Sequence, residues 1–177
     1  LIMLTHAVVN AGDNIGLVVY ADRVRRYIPP KKGRNQVSIV IEALHDLMAE
    51  PVESDPGLAF AYLASRWKRR SLIVSFADAE DDAQANELLA AFGHVARRHL
   101  TLLVRVSDPR LKESANLSVE QPSQLYLKAA ATLFRAERDR ATAAIESGGL
   151  HSLESEPQDL SAALVSYYFE VKERSLL

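Results

Sequence analysis

Apolar residues recur at the helical spacing i, i+3, i+4 and i+7 along much of the chain, and this pattern predicts amphipathic helices. Gly12 ends the first helix and Gly148-Gly149 ends a long Ala-rich one, while Asp55 is placed to cap a helix that begins at Pro56. The predicted helices cover residues 1–11, 34–48, 56–68, 81–98 and 124–147, with a short helix in the loop 108–123 and a final helix from Leu160 to Val171.

Short apolar runs between these helices predict strands. They cover residues 15–21, 24–28, 71–77, 100–106 and, more weakly, 150–153. Pro29-Pro30 marks the second run as an edge strand, whereas the continuous apolar run 71–77 is typical of a central parallel strand covered on both faces. Alternating strands and helices predict an α/β fold, a doubly wound, mostly parallel sheet with helices on both faces, in a single domain of 177 residues.

Composition narrows the classes of function. The formal net charge is -2, which argues against a nucleic-acid partner, because such domains are strongly basic. No cysteine is present, so disulfides and thiolate sites are excluded. No apolar run reaches the roughly 18 residues of a membrane-spanning helix. We therefore expect no membrane insertion by this segment and a cytoplasmic location.

Motifs that carry familiar chemistry are missing. The sequence holds no Gly-rich phosphate-binding loop and no Gly-x-Ser-x-Gly nucleophile elbow. The histidines are scattered without an i, i+4 partner for a metal, which indicates surface or helix-end positions. We therefore predict no catalytic residue and no nucleotide cofactor.

Acidic residues follow the predicted strands where ligands bind in doubly wound sheets, beyond the carboxyl ends. Asp78 and Asp108 each follow a strand, and Asp55 precedes a helix that runs antiparallel to the strands. We expect all three on one edge, joined by three more acids in the loop after Asp78: Glu80, Asp81 and Asp82. Such oxygen ligands suit Mg²⁺, Mn²⁺ or Ca²⁺, but acids at helix starts also serve simply as caps.

The placed segments resemble the von Willebrand factor A-like domains of the bacterial family known as domain of unknown function 58. The resemblance rests on several stretches spread over nearly the whole chain: residues 12–24 (GDNIGLVVYADRV), 29–34 (PPKKGR), 53–55 (ESD), 69–78 (RRSLIVSFAD), 96–100 (ARRHL) and 106–109 (VSDP). The resemblance implies a Rossmann-like fold and association with MoxR-type AAA+ ATPases in assembling or activating other proteins. Many relatives carry membrane helices ahead of this domain, which leaves a membrane-anchored parent protein open.

The resemblance also implies a metal-ion-dependent adhesion site made by three loops. Asp78 matches the third loop, although Ala77 replaces the usual threonine beside it, and Asp55 lies where the second loop contributes. The first loop, Asp-x-Ser-x-Ser, is missing, so the site is degenerate. We expect Asp55 and Asp78 to bind Mg²⁺ or Mn²⁺ only weakly, with a dissociation constant that is millimolar or weaker.

The chain begins inside the helix that would follow the first strand of this fold. We therefore expect this first strand to be absent. In the A-type order that strand lies between residues 15–21 and 71–77. Three alternatives could fill this position: residues upstream of Leu1, a strand from a second copy in a homo-oligomer, or direct closure of the two neighbouring strands on each other.

Three functions remain. The first is a protein-interaction or scaffold module whose acidic edge, Asp55, Asp78, Glu80, Asp81, Asp82 and Asp108, binds an ATPase or its client. The second is a metal-dependent hydrolase or phosphatase that uses the same acids. The third is an assembly subunit that acts through its exposed helices.

Overall fold

The computed structural model describes residues 1–48, 51–119 and 121–176. Its helices and strands follow the predicted order: α1 (Ile2–Asn10), β1 (Ile15–Tyr20), β2 (Val24–Lys31), α2 (Arg34–His45), α3 (Pro56–Arg66), β3 (Leu72–Phe76), α4 (Asp82–Ala96), β4 (Leu100–Val106), α5 (Pro109–Ala115), α6 (Pro122–Ser147), β5 (His151–Ser155) and α7 (Leu160–Glu173). Each predicted helix and strand is present, with ends that shift by a few residues.

Strands β1 and β2 form an antiparallel hairpin that is a sheet of its own. β2 is longer than predicted and runs through the two prolines to Lys31. Prolines can be accommodated there because β1 is the only strand paired with β2 in the described residues, and proline is tolerated on an edge. Gly16 brings the strands close together: a Cβ atom at this position would lie 2.6 Å from the carbonyl oxygen of Ile28.

Strands β3, β4 and β5 form a parallel sheet in that order. The central strand is β4, whose residues Leu102, Leu103 and Val104 are at most 1% exposed. The prediction that residues 71–77 form a parallel strand is confirmed, but β3 lies at an edge of this sheet and not at its centre. β3 is apolar because helices cover both of its faces. The sequence alone does not show whether such a strand also has neighbouring strands along both of its edges.

Helices cover both faces of the parallel sheet. On one face Leu102 and Val104 pack with Leu164 of α7. On the other, Leu103 packs in a core with Phe92 of α4 and Ile145 of α6. Alternate side chains of β4 therefore enter different cores, which confirms the predicted layered α/β arrangement.

The helices in the described ranges include none that is long and apolar enough to cross a lipid bilayer.

Candidate functional site

Three of the predicted acids cap helices at the edge where the parallel strands end. The side chain of Asp55 accepts a hydrogen bond from the backbone of Leu58 at 2.8 Å in α3. Asp81 accepts a hydrogen bond of 2.9 Å from the backbone N–H of Gln84 at the start of α4. Asp108 accepts one of 2.9 Å from the backbone N–H of Arg110 at the start of α5. The capping interpretation is thus confirmed for these residues, and each cap holds a carboxylate in a fixed position.

The same edge brings together the loops that carry these acids. The loops after β3 and β4 leave the sheet at one end because the two strands are parallel. Asp55 joins this edge through its backbone N–H, which donates to the carbonyl of Ala21, just after β1, at 2.8 Å. Glu80 and Asp82 lie beside the α4 cap and are exposed. The exposed acids of this edge other than Asp78 are called the acidic rim: Asp55, Glu80, Asp81, Asp82 and Asp108.

Asp78 lies at this edge too, but its carboxylate is held between two arginines. Its Oδ1 atom accepts a hydrogen bond of 3.0 Å from Nε of Arg105, and its Oδ2 atom accepts one of 2.7 Å from Nη2 of Arg138. The backbone N–H of Ala79 also donates to Oδ1 at 3.0 Å. Asp78 is therefore a link between β3, β4 and α6.

Arg105 is a buried cation in the middle of the molecule. It is 2% exposed, and its second acidic neighbour, Glu154 of β5, lies 3.8 Å away. Its Nη1 and Nη2 atoms are buried without a hydrogen-bond partner, as is Nε of Arg138. Since a buried guanidinium is costly unless it is paired, the carboxylate of Asp78 is its main compensation.

Sequence reasoning missed both arginines. A signal for Arg105 was present, since it interrupts the apolar run of β4 (LTLLVRV) at an inward position. A charged residue there demands a partner of opposite sign. Arg138 gives no comparable signal, because arginines are common on the surface of long helices and only the packing of α6 against the sheet buries this one.

The two carboxylates assigned to a metal have other partners in this arrangement. Asp55 is engaged by the backbone of α3, and Asp78 by two guanidinium groups that would repel a cation. The described parts of the chain hold no group of three or more His, Cys, Asp or Glu side chains suited to a metal ion. As they stand, these residues do not fit Mg²⁺ or Mn²⁺, and no reaction step is derived through either ion. The weak metal site stays a prediction.

Basic residues lie at the opposite end of the sheet. Lys68, Arg69 and Arg70 precede β3, while Arg97 and Arg98 follow α4. His99, next to them, is only 5% exposed, although the sequence indicated a surface or helix-end position. Burial lowers its pKa below the ordinary value, and the neighbouring Arg98 and Arg70 lower it further. This end therefore differs in charge from the acidic rim.

A cavity of about 1040 Å³ separates the hairpin from the parallel sheet. Its walls are strand residues of β1 and β3, with aromatic side chains including Tyr20, Phe60 and Trp67. Burial raises the pKa of Tyr20, and Ser75 partly offsets this rise. Asp78, Glu53 and Glu87 line it as well, so the cavity borders the acidic edge.

The fold and this site define an α/β protein with a parallel sheet between helices and an acidic edge whose central aspartate is neutralised by arginines. The chain belongs to the family described as "Protein of unknown function DUF58", whose sequence model matches residues 1–146. No curated protein and no solved structure matches it.

Proposed function

We propose that this chain is a protein-interaction or scaffold module that binds its partner through the acidic rim. The observation that carries the proposal is the combination of fixed rim carboxylates and an Asp78 carboxylate that is paired with Arg105 and Arg138. Backbone caps hold Asp55, Asp81 and Asp108 in place, so the surface is organised before a partner arrives. Preorganised charge of one sign favours a complementary basic surface and speeds association.

The partner we propose is a MoxR-type AAA+ ATPase or its client protein, in a von Willebrand factor A-like setting. The choice of this partner rests on the resemblance described above and on membership of the DUF58 family, whose sequence model matches residues 1–146. The physical requirement is a basic patch on that partner that faces the rim. Contact would depend strongly on salt, because exposed charges are screened within about 8 Å at physiological ionic strength.

The competing hydrolase or phosphatase function would need rim carboxylates free to hold a catalytic ion. Asp78, the acid best placed for that role, instead neutralises Arg105 and Arg138. This pairing is the reason to favour binding over catalysis.

The direct test measures binding of the MoxR-type ATPase from the same genome to variants of the rim. The double variant Glu80→Lys and Asp82→Lys reverses charge without removing a cap. The matched control, Glu170→Lys and Glu173→Lys, reverses two exposed acids of α7; this helix ends at the basic end of the sheet, where Leu176 accepts a hydrogen bond from Arg70.

The rim variant should bind the ATPase at least about tenfold more weakly, chiefly through slower association, and the control within about twofold of wild type. Equal binding by both variants would remove the rim from the proposal. Phosphatase turnover with Mg²⁺ or Mn²⁺ that Asp78→Ala abolishes would replace it with the catalytic alternative.

A further inference from the structure

Helix α6 extends beyond the layer of helices to which it belongs. It spans Pro122–Ser147, whereas its neighbour α4 spans Asp82–Ala96. Because α6 connects the parallel strands β4 and β5, it runs from the acidic edge of the sheet toward the basic end. Arg138 marks the level of the acidic edge, since it bonds to Asp78 at 2.7 Å. Residues 122–137 therefore project about 24 Å beyond that edge.

The projecting part of α6 carries exposed apolar residues. Four of them are called the apolar wall: Tyr126, Leu127, Ala130 and Leu133. Tyr126 is 76% exposed and Leu133 is 67% exposed. Lys128 is the only charged residue between positions 122 and 134, and its Nζ atom donates to the carbonyl of Leu117 at 3.0 Å, in the loop after α5. The wall itself is uncharged.

The apolar wall continues the side of α6 that packs against α4 lower down. About 18 residues make five turns of an α-helix, so Tyr126 lies above Ala144 and Ala130 lies above Gly148. Ala144 packs against the core between α4 and α6. Gly148 lies so close to Leu89 of α4 that a Cβ atom there would collide with it. Above the start of α4, the same side of α6 is exposed.

The start of α4 forms an acidic floor at the foot of this wall. The floor is the part of the acidic rim made by Glu80, Asp81 and Asp82, all of which are exposed. Asp78 begins the same loop and binds Arg138 of α6, so the floor lies next to the wall. The two surfaces form a notch with a long apolar side and a short negatively charged side.

A helix in line with α4 matches this notch in shape and in charge. α4 and α6 run in the same direction, because each connects two parallel strands, and neighbouring helices pack with their axes about 8–10 Å apart. A helix of about 16 residues is as long as the projecting part of α6. Such a helix would end on the acidic floor, and cations are favoured in the last turn of a helix.

We propose that the notch binds one amphipathic helix of a partner protein, whose apolar face packs on the wall and whose last turn places lysine or arginine side chains on the floor. This is recognition of a helix in a groove, with apolar anchors at i, i+3, i+4 and i+7. The proposal rests on the proposed function, because the floor is part of the acidic rim, and it adds the kind of segment that the partner presents.

A synthetic helix supplies the test. The probe is a peptide of about 16 residues with leucines at i, i+3, i+4 and i+7, alanine and glutamine elsewhere, and lysine and arginine in its last turn. A hydrocarbon staple on the polar face keeps it helical and reduces the cost of ordering it. Fluorescence anisotropy of a dye at its amino terminus measures binding at low salt. We expect a dissociation constant of about 100 µM or tighter.

The wall is tested by Leu133→Gln, which leaves the charge unchanged. Its matched control is Leu125→Gln, because Leu125 is an exposed residue of the same helix that lies above the exposed Ala143, away from α4. The wall variant should bind the peptide at least about tenfold more weakly, and the control within about twofold of wild type. Equal binding by the two variants would exclude the wall.

The floor is tested by the rim variant Glu80→Lys and Asp82→Lys and by a peptide with glutamates in its last turn. Each change should weaken binding at least about tenfold at low salt. Loss of affinity in the wall variant alone or in the rim variant alone would overturn the proposal, as would a probe that does not bind wild type.

The outcomes separate this proposal from the proposed function. If the rim variant loses the ATPase but wild type does not bind the peptide, the notch is wrong and the acidic rim stands. If the peptide binds through wall and floor but the ATPase does not bind, the notch stands and the choice of partner is wrong.

Sedimentation velocity covers the other occupant. A dimer that Leu133→Gln dissociates and Leu125→Gln does not would show that a second copy fills the notch, and the proposal would fail. A monomer that binds one peptide per chain supports it.

Discussion

The carboxylate of Asp78 accepts a hydrogen bond of 2.7 Å from the guanidinium of Arg138, a residue of helix α6. The other oxygen of the same carboxylate binds Arg105. One acidic side chain thus ties the loop after β3 to the central strand and to the longest helix described. The residue that resembles a metal ligand acts here as the counter-charge of two buried arginines.

Replacing Asp78 by Asn should lower the free energy of unfolding by about 2–4 kcal/mol, because Arg105 would stay buried without its main charge partner. The matched control Asp82→Asn changes an exposed acid of α4 and should cost less than about 0.5 kcal/mol. Urea denaturation measures both. Equal stability of the two variants would show that Asp78 does not compensate the arginines.

Arg105→Met should be tolerated better than Asp78→Asn. Methionine fills similar apolar space and removes the buried charge together with its need for a partner. In the double variant with Asp78→Asn, the loss of stability should be smaller than the sum of the single losses by at least about 1 kcal/mol. Additive losses in a urea-based double-mutant cycle would contradict the coupling.

Divalent ions should stabilise the chain only slightly, because Asp55 and Asp78 are engaged by other groups. If the dissociation constant is millimolar or weaker, 1 mM Mg²⁺ or Mn²⁺ raises the free energy of unfolding by at most about 0.4 kcal/mol. Thermal unfolding with each ion and with EDTA checks this. A rise of several kcal/mol would mean that a real metal site exists.

Tyr168 and Asp13 should make stability depend on pH at both extremes. The hydroxyl of Tyr168 donates to Asp13 at 2.5 Å, and Lys172 lies 2.8 Å from the same carboxylate. Burial raises the pKa of Asp13, but the hydrogen bonds from Lys172 and Tyr168 outweigh it, so the pKa is lowered. Burial and Asp13 raise the pKa of Tyr168 above its ordinary value.

A lowered pKa for Asp13 means that its stabilisation is present above about pH 4 and is lost as the pH falls through the folded-state pKa. A raised pKa for Tyr168 means that its stabilisation is present below about pH 10 and is lost at higher pH. Tyr168→Phe should cost about 1 kcal/mol at pH 7 and weaken both dependences. Urea denaturation from pH 2 to 11 tests this; unchanged pH profiles would contradict it.

Gly16→Ala should destabilise the hairpin by about 1–3 kcal/mol. The new Cβ would lie 2.6 Å from the carbonyl oxygen of Ile28 and 2.8 Å from the nitrogen of Pro30, both backbone atoms that cannot move independently. Gly93→Ala is the control, since it adds a methyl group to helix α4 with nothing within 4 Å and should stabilise by about 0.5–1 kcal/mol. Thermal unfolding distinguishes the two, and equal melting temperatures would refute the predicted contact.

The sequence by itself determined the order and type of the helices and strands. Hydrophobic periodicity and the glycine, proline and capping residues at the ends of these elements are local features of the sequence. The capping role of Asp55 followed from its position before Pro56, and the shared edge of Asp78 and Asp108 followed from parallel strands. Tertiary structure alone decided that Arg105 and Arg138 neutralise Asp78, since these residues are 27 and 60 positions away from it. It also decided that β3 borders a cavity, because an apolar run reveals the faces of a strand but not which strands pair along its edges.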